Sequence, residues 1–210
     1  MTAKQHGKTW ERLLAAASEV FVEKGYRDTT VSEICARAEA NISAVNYYFG
    51  SKESIYREAW RHSFNKAIKA HPPDGGVSET APPEERLRGH LKALMARIAD
   101  ENNKDFMICQ MELTNPTGLL EEIMKSELIP LREKTMALVR ELLGPGVSEN
   151  QVQFSEIGIV SMCINPMLMR RIKHATDRDE GPFSIEDLEA YANHVAQFSL
   201  AGIAAIRDNQ

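Results

Sequence analysis

The sequence predicts an all-α protein in which an N-terminal three-helix unit, built around a helix-turn-helix, joins a larger C-terminal helical domain. Three observations predict it. Apolar residues recur at helical spacing through most of the 210 residues, and no segment shows the sustained alternation of a half-buried strand. The stretch Thr30 to Phe49 reads as two short helices joined by a tight turn. One proline- and glycine-rich break, HPPDGGVSETAPP from His71 to Pro83, reads as an exposed loop and starts the linker between the two halves.

The first helix is expected from about Thr9 to Lys24, after a short polar arm carrying Lys4, His6 and Lys8. Trp10, Leu13, Leu14, Ala17, Val20 and Phe21 form its buried stripe. Gly25 is placed to end it in a left-handed cap. Thr30 is the candidate N-cap of the second helix, where Val31, Ile34, Cys35 and Ala38 share one face. Asn41 caps the third, expected from Ile42 to Tyr48. Ile42, Val45 and Phe49 form its anchor face, whereas Ser43, Asn46 and Tyr47 share a different, hydrogen-bonding face. Gly50 ends that helix, and Ser51 caps a fourth over residues 52–70. Its broad apolar face carries Ile55, Tyr56, Ala59, Trp60, Ser63, Phe64 and Ala67.

Beyond the break, helices are expected over 84–101, 104–114, 118–143 and 149–175, with kinks at Pro130 and Pro166. A charged loop from Asp177 to Pro182 precedes a last helix from about Ile185, with Ser184 as its cap.

The net charge of −5 excludes a protein that coats nucleic acid through bulk positive charge, so any DNA binding is local and geometric. Among the first 57 residues, basic side chains slightly outnumber acidic ones, so the acidic excess lies in the remainder. Cys35, Cys109 and Cys163 lie far apart in apolar contexts and read as buried thiols rather than a disulfide or zinc framework. The histidines have no metal-ligand spacing, and no nucleophile elbow or phosphate-cradling glycine loop is visible. The expectation is therefore no catalytic residue, no metal and no cofactor. No run of some 20 apolar residues is present, which predicts a cytoplasmic protein without membrane contact.

A short helix with one apolar anchor face and one polar face is what a DNA major groove admits, although helix pairs with polar outer faces occur in any all-α protein. Lys52, in the first turn of its helix, opposes the helix dipole. A DNA phosphate would supply the missing anion, and a solvated lysine whose small cost is tolerated is the other reading.

The segment ANISAVNYYFGSKESIY resembles the recognition segment of tetracycline-repressor-type (TetR-like) regulators, which usually reads A-G-V-S-x-G-x-x-Y-Y-H-F followed by x-S-K-E-x-L. Ala38, Ala40, Val45, Tyr47, Phe49, Ser51, Lys52 and Glu53 fall on matching or conservatively changed positions. Upstream, Gly25 to Cys35 resembles the family's G-x-x-x-T-T-hydrophobic-x-x-I-A. NISAVNYYFGSK looks closer to the CecR-like subgroup. Two residues depart from the pattern: Glu39 stands where the family has a turn glycine, and Tyr48 stands for its histidine.

The resemblance implies a DNA-binding domain over residues 1–56 and an effector-binding and dimerisation domain over 57–210. It implies a repressor that binds a palindromic, double-stranded operator as a homodimer and is released by a small-molecule effector. The expected DNA-contacting set is Thr30, Asn41, Ser43, Ala44, Asn46, Tyr47 and Lys52. Asn46 would read an adenine edge, Ala44 a thymine methyl and Tyr47 a phosphate, while Thr30 and Lys52 clamp the backbone. The small residues Ala201, Gly202, Ala204 and Ala205 suit a close helix seam between subunits or within one chain. An effector pocket is expected from the adaptable Met95, Phe106, Met107, Gln110, Met111, Met162, Asn165 and Met169, which serve equally as a deformable core. The alternative reading is an all-α small-molecule-binding enzyme or carrier whose N-terminal helices are structural only.

Overall fold

The computed structural model describes residues 7–176, 185 and 187–209, and among these it describes no side chains for 167–176. Lys4, His6, the Asp177–Pro182 loop, the Ser184 cap and the side chain of Met169 lie outside the described residues. Among the described residues there are nine helices and no strand. They are α1 (Lys8–Asp28), α2 (Val31–Arg37), α3 (Ile42–Tyr48), α4 (Lys52–Ala70) and α5 (Pro83–Ala99), then α6 (Asp105–Thr114), α7 (Glu121–Leu143), α8 (Glu149–Thr176) and α9 (Leu188–Asp208). None is long and apolar enough to cross a membrane. The chain packs as two compact units: Met1–Lys69 with Glu101–Glu127, and Ala70–Asp100 with Leu128–Gln210.

In the first unit, Leu13, Leu14, Ala17, Val20 and Phe21 of α1 pack with Ile34 of α2, Val45 of α3 and the Ile55–Tyr56–Ala59–Trp60 face of α4, all buried. Gly25 interrupts α1 with a φ of 76° and a ψ of 174°, where the sequence places the end of the first helix, and a short helical segment follows to Asp28. The buried Thr29 hydroxyl donates to the Gly25 carbonyl at 2.7 Å and so satisfies an acceptor near that break.

The start of α6 is capped from another helix. Ser63 Oγ on α4 accepts the N–H groups of Lys104 and Asp105 at 3.0 and 2.9 Å. Trp60 Nε1 donates to the Asp105 carbonyl at 3.2 Å. Instead of opening α7, Thr117 and Gly118 fold back on α6, where their N–H groups donate to Glu112 Oε1 at 2.8 and 2.9 Å.

In the second unit, α5, the C-terminal part of α7, α8 and α9 enclose a core that includes Leu87, Leu91, Met95, Val139, Cys163 and Val195. The His71–Pro83 break, expected as a free loop, is docked on α5. A Cβ on Gly89 would lie 2.5 Å from Val77 Cγ2 and 2.9 Å from the Asp74 carbonyl, so the glycine is what admits the loop. His71 Nε2 meets Asp100 Oδ2 at 3.0 Å. His90 Nδ1 donates to the Pro73 carbonyl at 2.8 Å, which leaves Nε2 to accept from Thr135 Oγ1 at 2.9 Å. Burial holds the His90 ring below the usual histidine pKa. The helices α7 and α8 continue through Pro130 and Pro166. The start of α9 is at Leu188, where Asp187 accepts the Ala190 N–H at 2.8 Å.

Candidate nucleic-acid interface

The two short helices of the head are each held by a side-chain cap. Thr30 Oγ1 accepts the Glu33 N–H at 3.2 Å, and Glu33 Oε2 accepts the Thr30 N–H at 2.9 Å. This is a reciprocal capping box, and its T-x-x-E spacing was available in the sequence. Glu33 also pairs with Lys24. That ammonium first, and the Thr30 contacts second, pull the Glu33 carboxyl down to a pKa of about 2. Asn41 Oδ1 accepts the Ser43 N–H at 3.0 Å and starts α3.

The turn between them carries strain. Glu39 has φ +49°, the left-handed region that its family position reserves for glycine. A bidentate pair of Arg37 with Glu23, at 2.5 and 2.8 Å, ties the end of α2 to α1 and holds the Glu23 carboxyl below its usual range.

The face of α3 differs from expectation in one residue. Val45 and Phe49 are buried, but Ile42 is 49% exposed. The anchor is therefore two residues wide, because α3 begins at Ile42, the end of the helix with least packing around it. Ser43, Asn46 and Tyr47 are exposed as expected, Tyr47 at 82%, while Ala44 is partly buried. The Tyr47 ring meets Tyr48 edge-on at 4.9 Å, and Tyr48 is tilted on Phe49 at 6.2 Å. Phe49 in turn stacks on Trp10 of α1 at 6.3 Å.

Lys52 is not a bare cation opposing its helix. Its Nζ donates to the Arg27 carbonyl at 3.3 Å and lies 4.5 Å from the Tyr26 ring centroid. The partner that sequence reasoning could not see is the end of α1, and it answers the unfavourable dipole placement.

The expected effector set falls in both units. Phe106, Met107, Gln110 and Met111 lie on α6 in the first. Met111 Cε comes within 3.3 Å of the Cβ position of Gly25, so this methionine packs on the α1 break. Met95 is fully buried in the core of the second unit, where Met162 packs partly buried. Asn165 is exposed. The network around one polar centre was not legible in the sequence. The buried Glu112 accepts from Tyr56 Oη at 3.0 Å as well as from Thr117 and Gly118. Its position on the helical wheel carried no signal, because the donors come from a distant helix and a loop.

Residues 13–59 match the family described as bacterial regulatory proteins, tetR family. Residues 83–203 match the C-terminal domain of the HTH-type transcriptional dual regulator CecR. CecR of Shigella flexneri is 52% identical over 46 residues, which are 22% of this chain and 20% of that protein. The HTH-type transcriptional repressor NicS of Pseudomonas putida is 35% identical over 68 residues, 31% of this chain and 32% of that protein. Both matches therefore span about a third or less of those relatives. Among solved structures, the transcriptional regulator FadR from Bacillus subtilis in complex with stearoyl-CoA superposes with a TM-score of 0.68 at 20% identity, covering 92% of this chain and 98% of that one. That likeness is one of fold. The second match alone spans more than half of the sequence, and with the first it places the chain among the TetR-family transcriptional regulators with a CecR-type C-terminal domain.

Proposed function

We propose that the protein is a repressor that binds a palindromic operator as a homodimer and releases it when a small-molecule effector binds. The observation that carries the reading is the row Ser43, Asn46 and Tyr47, exposed on a helix whose opposite side is anchored by Val45 and Phe49. Short polar side chains on a rigid helix suit base edges, and a tyrosine hydroxyl suits a phosphate. Asn46 reads adenine, with Ser43 and Ala44 beside it. Thr30 and Asn41 orient the two helix starts toward the backbone. Lys52 spends one donor on Arg27 and offers the others to phosphate. Residues 1–56 make up the DNA-binding domain, and 57–210 bind effector and form the dimer. NicS, whose name describes a repressor, supports the sign of regulation.

Dimerisation is supported by two outward apolar rows in the second unit. Phe154 is 68% exposed on α8, with Ile157 and Gly158 three and four residues on. Phe198 is 61% exposed on α9, followed at helical spacing by the exposed Ala201, Gly202 and Ala205. Such rows meet a symmetric partner as a four-helix seam. For the effector we propose contacts within the first unit, on the partly buried α6 face of Met107, Gln110 and Met111 beside Phe106. Selection from a random DNA pool at near-physiological salt tests the reading. Enrichment of an inverted repeat is the expected result; a folded, effector-stripped protein that enriches nothing refutes it.

A further inference from the structure

We infer that Ile42 is a base-reading residue that recognises a thymine methyl close to the adenine taken by Asn46. This rests on the operator reading above and goes beyond it by naming bases. A half-exposed aliphatic side chain on the helix offered to the groove gains when apolar surface of the partner covers it. Among the described residues half of Ile42 stays uncovered, because α3 starts at this residue and its anchor comes from Val45 and Phe49. Ile42 and Asn46 are four residues apart, so they stand one above the other on a single row. In that row an apolar group sits beside an amide. The major groove offers the same pair of chemistries: the C5 methyl of thymine and the N6/N7 edge of adenine. One helical turn rises about 5.4 Å and base pairs are spaced about 3.4 Å, so the thymine lies within two steps of the adenine. Ala44 is a poorer candidate for that methyl, since it is partly buried and presents a single carbon.

The test replaces thymine by deoxyuridine, which removes only the C5 methyl, at each position of the selected site. It compares the wild-type protein with Ile42→Ala, a change at a half-exposed position that leaves the anchor intact. The expected result is one thymine per half-site, within two steps of the position where Asn46→Ala relaxes adenine preference. Its replacement should weaken wild-type binding about fourfold, the loss of one buried methyl-sized group, and should not affect Ile42→Ala. A wild type indifferent to every such replacement overturns the assignment, as does a loss that persists in Ile42→Ala. Either result leaves a selected inverted repeat, and hence the operator reading, standing. A pool that yields no inverted repeat at all overturns both.

Discussion

The hydroxyl of Tyr56 donates to Glu112 Oε2 at 3.0 Å, joining two buried side chains that are 56 positions apart in the chain. The carboxylate is further held by Thr117 and Gly118, so α4, α6 and the turn after α6 share one acceptor. Burial, and then the Glu112 carboxylate, push the Tyr56 pKa far up, so this hydroxyl stays a donor throughout the range in which the protein is handled. Tyr56→Phe removes one donor of several and should cost about 1–2 kcal/mol. Glu112→Leu strands the Tyr56 hydroxyl and two backbone N–H groups and should cost about 2–4 kcal/mol. Urea unfolding followed by tryptophan fluorescence checks both, since Trp10 and Trp60 lie in this unit. Equal costs for the two variants would contradict a shared acceptor.

Relief of the turn is the next expectation. Glu39 occupies φ +49° with an exposed side chain whose ion pair to Arg12 is 3.9 Å long and worth little. Glu39→Gly should therefore raise stability by about 1 kcal/mol, glycine entropy included. A lowered melting midpoint would show that the carboxylate carries more than its geometry indicates.

Acid should loosen the head. The Glu33 pKa is about 2, below its usual value of 4.5, so its contribution is complete above pH 4.5. As pH falls from there toward 2, the unfolded chain binds the proton first and that contribution is lost. Glu33→Gln should show a flatter decline of urea midpoint between pH 4.5 and 2.5 than the wild type. Some slope remains from Glu23, whose pKa is lowered by Arg37. Superimposable curves would mean that the capping box contributes no pH dependence.

Docking of the loop on α5 depends on a missing side chain. Gly89→Ala places a methyl against Val77 and the Asp74 carbonyl and should cost roughly 1–3 kcal/mol. Limited proteolysis should then cut between Asp74 and Glu79 faster than in the wild type. An unchanged rate would indicate that the loop yields without undocking.

On DNA, Asn46→Ala should lose roughly 1–3 kcal/mol of discrimination at one base position per half-site while leaving weak binding intact. Lys52→Ala should weaken all sequences alike and lower the salt slope by about 1 per head. Because Lys52 also holds the Arg27 carbonyl, a circular dichroism melt must accompany it. Unchanged preference in Asn46→Ala would remove that residue from the reading face.

Much of the local structure was legible in the residues themselves. Thr30 and Asn41 cap their helices because a short acceptor side chain before an apolar period reaches the free N–H groups of the next turn. The Val45–Phe49 anchor and the Ser43–Asn46–Tyr47 row follow from 3.6-residue periodicity alone. Glu39 was marked as a strained turn by a family pattern that demands glycine, and its φ is positive.

Where contacts link distant residues, only the tertiary structure decided. Ile42 is as apolar as a core residue, but exposure depends on what packs against a helix end, and among the described residues half of it stays uncovered. Lys52 found its partner at the end of α1, 25 residues away. The loop at His71 carries every local mark of a free linker, yet it docks because Gly89 leaves room. Periodicity specifies which face of a helix is apolar, a property of neighbours three and four apart; which surfaces meet depends on shape and on donors matched across the fold, and those appear only once the chain is closed on itself.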